Sequence, residues 1–167
     1  MASDYYLKID TVKGEATAKG MTDYMEIYSF SFGASNPSTI GSAGGGSGAG
    51  KVSLSSFNVM KRTDAASPVL FQACCQGEHY PTATVEIKKP TGKDGEQQTF
   101  IKYTFKQVYV DSVQWSGSAG GDTYPTESVS FSFENVEVNY YPQDAKGKIA
   151  TASIDASWDL TKNSAAA

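Results

Sequence analysis

TFIKYTFKQVYVDSVQW, residues Thr99–Trp115, decides the fold. It alternates as a strand does, but its apolar residues do not keep to one face. Ile101, Tyr103 and Phe105 share a face; the apolar set then moves to Val108 and Val110, and again to Val113 and Trp115. Strand side chains alternate with a period of two, so a change of face needs an inserted residue or a strand that passes from one sheet to another. Glu127–Tyr141 behaves alike, with Val129, Phe131 and Phe133 giving way to Val136, Val138 and Tyr140. Strands that bend between two sheets are what a barrel or an orthogonal sandwich requires. The fold expected is mainly β, an antiparallel β-barrel of two sheets.

Shorter alternating runs supply the other strands: Tyr5–Ile9, Tyr24–Phe32, Val52–Lys61, Tyr80–Lys88 and Ile149–Leu160. Asp94-Gly95 marks a hairpin turn between two of them. One short α-helix is expected at Ser67–Gly77, with Ser67 as N-cap, Pro68 in the first turn and Gly77 as the stop. Val69, Leu70, Ala73 and Cys74 would share its apolar face. No internal repeat is visible, and the connections are too short for a second domain. Residues 1–167 read as one domain, with about 161–167 expected to be a disordered tail.

The chain has 167 residues, enough to bury a core without staples, and a net charge of −4. Arg62 is the only arginine and the lysines are scattered, which argues against nucleic acid as a partner. No apolar run approaches the roughly 18–20 residues of a membrane helix. The opening MASDYYLKID has neither the basic start nor the apolar segment of a secretory signal. Cys74 and Cys75 are adjacent, poorly placed to pair, and fit a reducing compartment.

TIGSAGGGSGAGK, residues 39–51, holds six glycines and ends in Gly50-Lys51, a near match to a phosphate-binding loop. That loop needs Ser or Thr after the lysine and then a helix, whose N-terminus binds the anion. Val52 and the strand-like VSLSSFNV stand there instead, so no nucleotide cofactor is expected. What remains is a long hairpin connection, or a loop that becomes ordered against a partner. His79 is the only histidine, and with Cys74 and Cys75 it makes no recognisable zinc spacing. Both cysteines lie in the apolar part of a short helix, and no G-x-S-x-G elbow is present. No enzyme, metal or cofactor is expected. In the strand at Tyr28–Phe32, Tyr28, Phe30 and Phe32 should enter the core, leaving Ser29 and Ser31 on a small, uncharged opposite face. That face is either exposed to solvent or lines a channel or interface.

Taken in order, these features resemble the Hcp family of the bacterial type VI secretion system. The resemblance rests on Tyr6-Leu7-Lys8-Ile9 with Val12-Lys13-Gly14-Glu15, Ile27–Gly33, the glycine loop running into Gly50-Lys51-Val52, and Ser67-Pro68. It continues through Gly77-Glu78-His79-Tyr80-Pro81, Ser116–Gly121 and Thr126-Glu127-Ser128-Val129. It implies a small barrel flanked by a helix, assembling as hexameric rings that stack into a hollow tube. It further implies a subunit that starts in the bacterial cytoplasm and is exported without a signal peptide to the medium or a target cell. The implied partners are other copies of the chain, the sheath, spike and baseplate proteins, and effectors carried in the lumen. By the same resemblance the glycine loop, with Gly41, Gly44, Gly45, Gly46, Gly48, Gly50 and Lys51, reaches the next ring, and Ser29 and Ser31 line the lumen. Gln114–Gly121 falls on a ring-face loop. A phage-like injection-tube subunit and a monomeric β-sandwich binding a small ligand are the alternatives.

Overall fold

The longest strand, β7 (Gln97–Ser116), organises the molecule, because three strands pair with it. The chain order is β1 (Asp4–Ile9), β2 (Met25–Ser31), β3 (Ala34–Ser35), β4 (Ser53–Leu54), β5 (Phe57–Arg62), α1 (Ser67–Gln76), β6 (His79–Pro90), β7, β8 (Thr126–Ser132), β9 (Asn135–Tyr140) and β10 (Ile154–Asp159). This computed structural model describes residues 3–38, 50–91, 95–121 and 123–166. Pairing runs β7-β6-β1-β2-β5-β8 and returns to β7, which closes a barrel of six antiparallel strands. The first half of β7 also pairs with β9, and β10 lies outside β9.

The face changes read from the sequence have local causes. Phe105 and Val108 both point inward because Gln107, between them, is left-handed with φ 53°. The second change falls where the register with β8 shifts between Val110 and Ser112. The stretch Glu127–Tyr141 is two strands. It breaks at Phe133-Glu134, where the Glu134 N–H bonds the Lys106 carbonyl at 3.0 Å as the chain passes from the barrel wall to the β9–β10 flap. The expected strand Val52–Lys61 is likewise divided into β4 and β5 at Ser55-Ser56.

Inside, aromatic rings fill the barrel. Phe57 stacks on Phe30 and Phe131 with centroids 5.3 Å apart in each case, and meets Phe105 at 5.0 Å. Phe32 reaches Phe105 and Phe133 from the arm side. Burying one such ring is worth roughly 1.5–3 kcal/mol. Because Phe57, Phe105 and Phe131 are fully buried at the centre, they occupy the space a ligand-holding barrel would leave open.

Helix α1 packs against β7, near where β6 pairing ends at His79↔Tyr109. Gly77 ends it with a left-handed φ of 66° and an N–H bond to the Ala73 carbonyl. The start differs from expectation. Ala66 is the N-cap, and the Asp64 carboxylate accepts its N–H at 3.0 Å, while Ser67 turns its hydroxyl into a buried polar cluster. Leu70 and Ala73 enter the core and Cys74 packs on its edge, but Val69 is exposed, one position off the buried stripe.

That cluster is built on Lys61, which is fully buried. Its Nζ lies 2.7 Å from Asp64 Oδ1 and 2.6 Å from Glu127 Oε1, and donates to the Arg62 carbonyl at 2.9 Å. Ser67 Oγ donates to Glu127 Oε1 at 2.9 Å, and Trp115 Nε1 donates to Glu127 Oε2 at 2.5 Å. Five segments are tied together here: β5, the turn after it, α1, β8 and the end of β7.

Candidate assembly surfaces

Strand β2 carries the sequence-predicted face, with one change. Met25 and Ile27 point inward, the register with β5 then shifts between Ile27 and Ser29, and Phe30 and Phe32 point inward. Tyr28 is the extra residue of this bulge, so it does not enter the core as the alternation suggested; it is 58% exposed. Ser29 and Ser31 do face outward, and both are exposed.

Strand pairing extends that face. Ser31, Asn58, Ser130 and Ser112 are register partners across β2, β5, β8 and β7. Ser29, Met60, Ser128 and Gln114 form the next row. Phe30, Val59, Val129 and Val113, between the two rows, point the other way into the barrel. Ser112 and Ser130 hydroxyls are 2.6 Å apart. The two rows contain no charged residue. Asp111 borders them at one end, bonded by Ser56 and Ser132 hydroxyls at 2.8 and 2.9 Å, and Arg62 borders them at the other. Asn58, Met60, Ser112, Ser128 and Ser130 were not assigned to this face from sequence, and Gln114, expected in the ring-face loop, lies within strand β7. Their signal was the alternation itself, since Ser128 and Ser130 flank Val129 and Asn58 and Met60 flank Val59.

The outer face of β6-β7-β9-β10 is the chemical opposite. Glu86 pairs with Lys102, Lys102 with Asn139 and Asn139 with Asp155; Thr104 pairs with Glu137 and Lys106 with Asn135. The Asn139 amide donates to Glu137 and Asp155, each at 2.9 Å. That bond, then one from Ser153, holds the Asp155 carboxyl below its usual range.

The glycine loop leaves the barrel between β2 and β5 on a short ribbon. Ala34 pairs with Leu54 and Ser35 with Ser53, Gly33 and Ser55 exchange bonds of 3.0 and 2.9 Å, and Gly50 N–H donates to the Pro37 carbonyl at 2.9 Å. A side chain at Gly50 would place Cβ 2.8 Å from Pro37 Cγ, so the two legs approach as closely as they do only because this residue is glycine. Lys51 is exposed on the ribbon. Gly41, Gly44, Gly45, Gly46 and Gly48 lie outside the described residues.

The remaining sequence candidates, Cys74, Cys75 and His79, lie on or just after α1. His79 packs its imidazole on Tyr109 at 5.4 Å, and Cys74 Sγ donates to the Asp111 carbonyl at 3.5 Å. Cys75 is exposed on α1. Among the described residues no three His, Cys, Asp or Glu side chains gather as a metal site, and no helix is long and apolar enough to cross a membrane. Gln114–Gly121 sits at the end of the barrel away from the glycine loop. Ser116 and Thr126 hydroxyls meet there at 3.1 Å, beside an open cleft of about 550 Å³. Beyond the barrel, Asp159 accepts from the Thr161 hydroxyl at 2.6 Å and the Lys162 N–H at 3.1 Å, and Ser157 Oγ bonds the Ala166 carbonyl at 3.1 Å.

A closed barrel with a filled interior, one uncharged outer face, one charged outer face and a projecting ribbon defines a structural building block rather than a ligand-holding barrel. A family model described as the type VI secretion system effector Hcp matches residues 6–140. Protein hcp1 of Pseudomonas aeruginosa is 36% identical over 163 residues, 98% of each chain. A solved structure described as a type six secretion system protein superposes with a TM-score of 0.91 at 36% identity, covering 99% of this chain and 100% of that one. Hcp1 from Salmonella typhimurium gives 0.79 at 30% identity over 99% and 100%. The chain belongs to the Hcp family, the tube proteins of type VI secretion, a structural family and not an enzyme family.

Proposed function

We propose that this protein is the tube subunit of a bacterial type VI secretion machine. It forms hexameric rings that stack into a hollow tube and carries effector proteins in the lumen. It leaves the cytoplasm with the tube and has no catalytic step of its own. Its partners are further copies of itself, the surrounding sheath, the spike and baseplate, and the effectors. The observation that carries this reading is the contrast between the two outer faces of one barrel. The face built on Ser29, Ser31, Asn58, Ser112, Ser128 and Ser130 is small and uncharged. Placed toward a lumen, it lets cargo approach without desolvating a charge. The Glu86–Lys102–Asp155 side, placed outward, suits a polar sheath. Closed rings also use sheet edges that would otherwise invite disordered pairing.

The test is Ser31→Gln in a strain with a working machine. The substitution is on an exposed outer position, so the barrel should fold and be exported, while effector co-purification and effector delivery fall. Unchanged effector binding and delivery would contradict the lumen assignment of Ser31.

A further inference from the structure

Beyond Ser29, Met60, Ser128 and Gln114 the uncharged face has one further row. Arg62 is the register partner of Thr126, and Thr126 of Ser116. Arg62 follows Met60 by two positions, so its side chain leaves the same side of β5, while Lys61 between them is buried. Tyr28, the bulge residue, falls between the pairs Ile27↔Lys61 and Ser29↔Met60 and is turned out of the core at the same end. The exposed Tyr124 ring has its centroid 5.4 Å from the Arg62 guanidinium. We propose that Arg62, with Tyr124, Met60 and Tyr28 around it, is a contact for carboxylate side chains and selects cargo proteins that carry an acidic surface segment. The proposal rests on the reading of this face as the lumen wall and names the cargo chemistry that the wall prefers.

Arg62 is the only arginine in the chain. Among the described residues it forms no ion pair; every ion pair there belongs to a lysine. Its backbone is held on both sides. The Arg62 carbonyl accepts from Lys61 Nζ at 2.9 Å, and the following N–H, that of Thr63, donates to the Pro125 carbonyl at 2.9 Å. The second bond also anchors the segment that carries Tyr124. Stacking uses the flat face of a guanidinium and leaves its N–H edge open, and that edge matches a carboxylate through two parallel bonds. Tyrosine, methionine and arginine are the residue types enriched where proteins bind one another. The two neighbouring rows hold hydroxyls, amides and Met60, so no second cation there competes for an anion.

Asp111 marks the opposite end of the face, its carboxylate taken up by the Ser56 and Ser132 hydroxyls. Along β5 the Arg62 row lies about 13 Å from the Asn58 row, at ~3.3 Å per residue. That separation exceeds the screening length of about 8 Å at physiological salt, so Asp111 does not cancel the field at Arg62. The same screening confines Arg62 to groups that touch the wall. An acidic segment is therefore favoured at one end of the face and disfavoured at the other, which sets orientation as well as preference. In a closed ring the contact recurs around the axis, so cargo with several acidic groups gains avidity.

The experiment uses the full chain and two fluorescein-labelled peptides with amidated C-termini. One carries Glu and Asp beside Leu and Tyr; the other has the same sequence with Gln and Asn in place of the acids. By fluorescence anisotropy at low salt the acidic peptide should bind about tenfold more tightly than its amide counterpart. Arg62→Gln should abolish the difference, and Arg62→Lys should restore only part of it, because an ammonium lacks the two-pronged geometry. Lys102→Gln, on the charged face, removes the same charge and should leave binding unchanged. Equal binding of the two peptides, or equal losses in Arg62→Gln and Lys102→Gln, overturns the contact. Tyr124→Leu alters an exposed side chain and carries the test should Arg62→Gln fail to fold: acidic-peptide binding should fall severalfold with the unfolding midpoint unchanged, and unchanged binding contradicts the proposal. Negative-stain images of the same samples separate the two readings. Rings without the peptide preference overturn the carboxylate contact alone, whereas absence of rings in the unsubstituted protein overturns the tube reading itself.

Discussion

Replacing Lys61 by Met should be the most damaging single change of a charged residue in this barrel. The side chains are similar in length, so packing is largely kept and the ammonium alone is lost. Its Nζ stands 2.7 Å from Asp64 Oδ1 and 2.6 Å from Glu127 Oε1, and the Lys61 and Glu127 side chains are fully shielded from water. Removing it leaves two carboxylates facing one another across a dry site. Breaking a buried pair in this way costs about 3–5 kcal/mol. For a chain of this size about 2–4 °C is lost per kcal/mol, so the melting temperature should fall by roughly 6–20 °C. Urea unfolding followed by tryptophan fluorescence measures the loss, with wild type and variant at equal concentration because assembly raises apparent stability by mass action. The midpoint should drop with the slope unchanged. Adding Glu127→Leu should restore part of the loss. Recovery stays incomplete because Trp115 Nε1 and Ser67 Oγ then lack their acceptor. A loss below about 1 kcal/mol for Lys61→Met would refute the view that the cluster acts as a paired charge site.

Gly45→Pro with Gly48→Pro, placed in the loop proposed to stack, should leave rings intact and cut tube formation in electron micrographs; normal tubes count against the loop. Gly14→Ala should destabilise by about 1–3 kcal/mol, because an added Cβ would run into the Tyr24 carbonyl, a backbone group that cannot swing away; an unchanged melting temperature would show that the turn yields. Burial raises the Tyr6, Tyr24, Tyr80 and Tyr103 phenols above their ordinary range, with the Glu86 carboxylate adding to it at Tyr24. A raised phenol contributes stability that is complete below about pH 10 and is lost as pH climbs toward the folded-state value. Stability should therefore decline above about pH 10, and Tyr24→Phe should flatten the decline; a flat wild-type profile to pH 12 would contradict this.

The strand pattern was legible in the sequence, because a half-buried strand writes its burial as alternation. Tyr5–Ile9, Tyr80–Lys88 and Thr99–Trp115 coincide with β1, β6 and β7 to within a few residues. The face changes of β7 were legible as events, but not their geometry, since Gln107 is not a residue type that announces a left-handed backbone. Tyr28 misled for a related reason. An aromatic residue in phase with Phe30 and Phe32 reads as core, and only the pairing with β5 reveals the bulge that turns it out. Ser67 was read as an N-cap because local rules favour it there, whereas Glu127, distant in sequence, claims its hydroxyl, with Lys61 beside it. A signal for that cluster was available: Lys61 falls in phase with Phe57 and Val59, and Glu127 with Val129 and Phe131. A charge in phase with a core face needs a partner, and these two are each other's. Of the candidate surface, Ser29 and Ser31 were found because they sit between aromatics. The six residues that complete the face lie on strands whose adjacency is set by barrel closure, which alternation within one strand does not record.

The central claim is assembly, and negative-stain electron microscopy of the purified full-length protein tests it most directly. The account predicts uniform hollow rings with six-fold symmetry, stacking into tubes as concentration rises. A field of monodisperse monomers across that concentration range would contradict it.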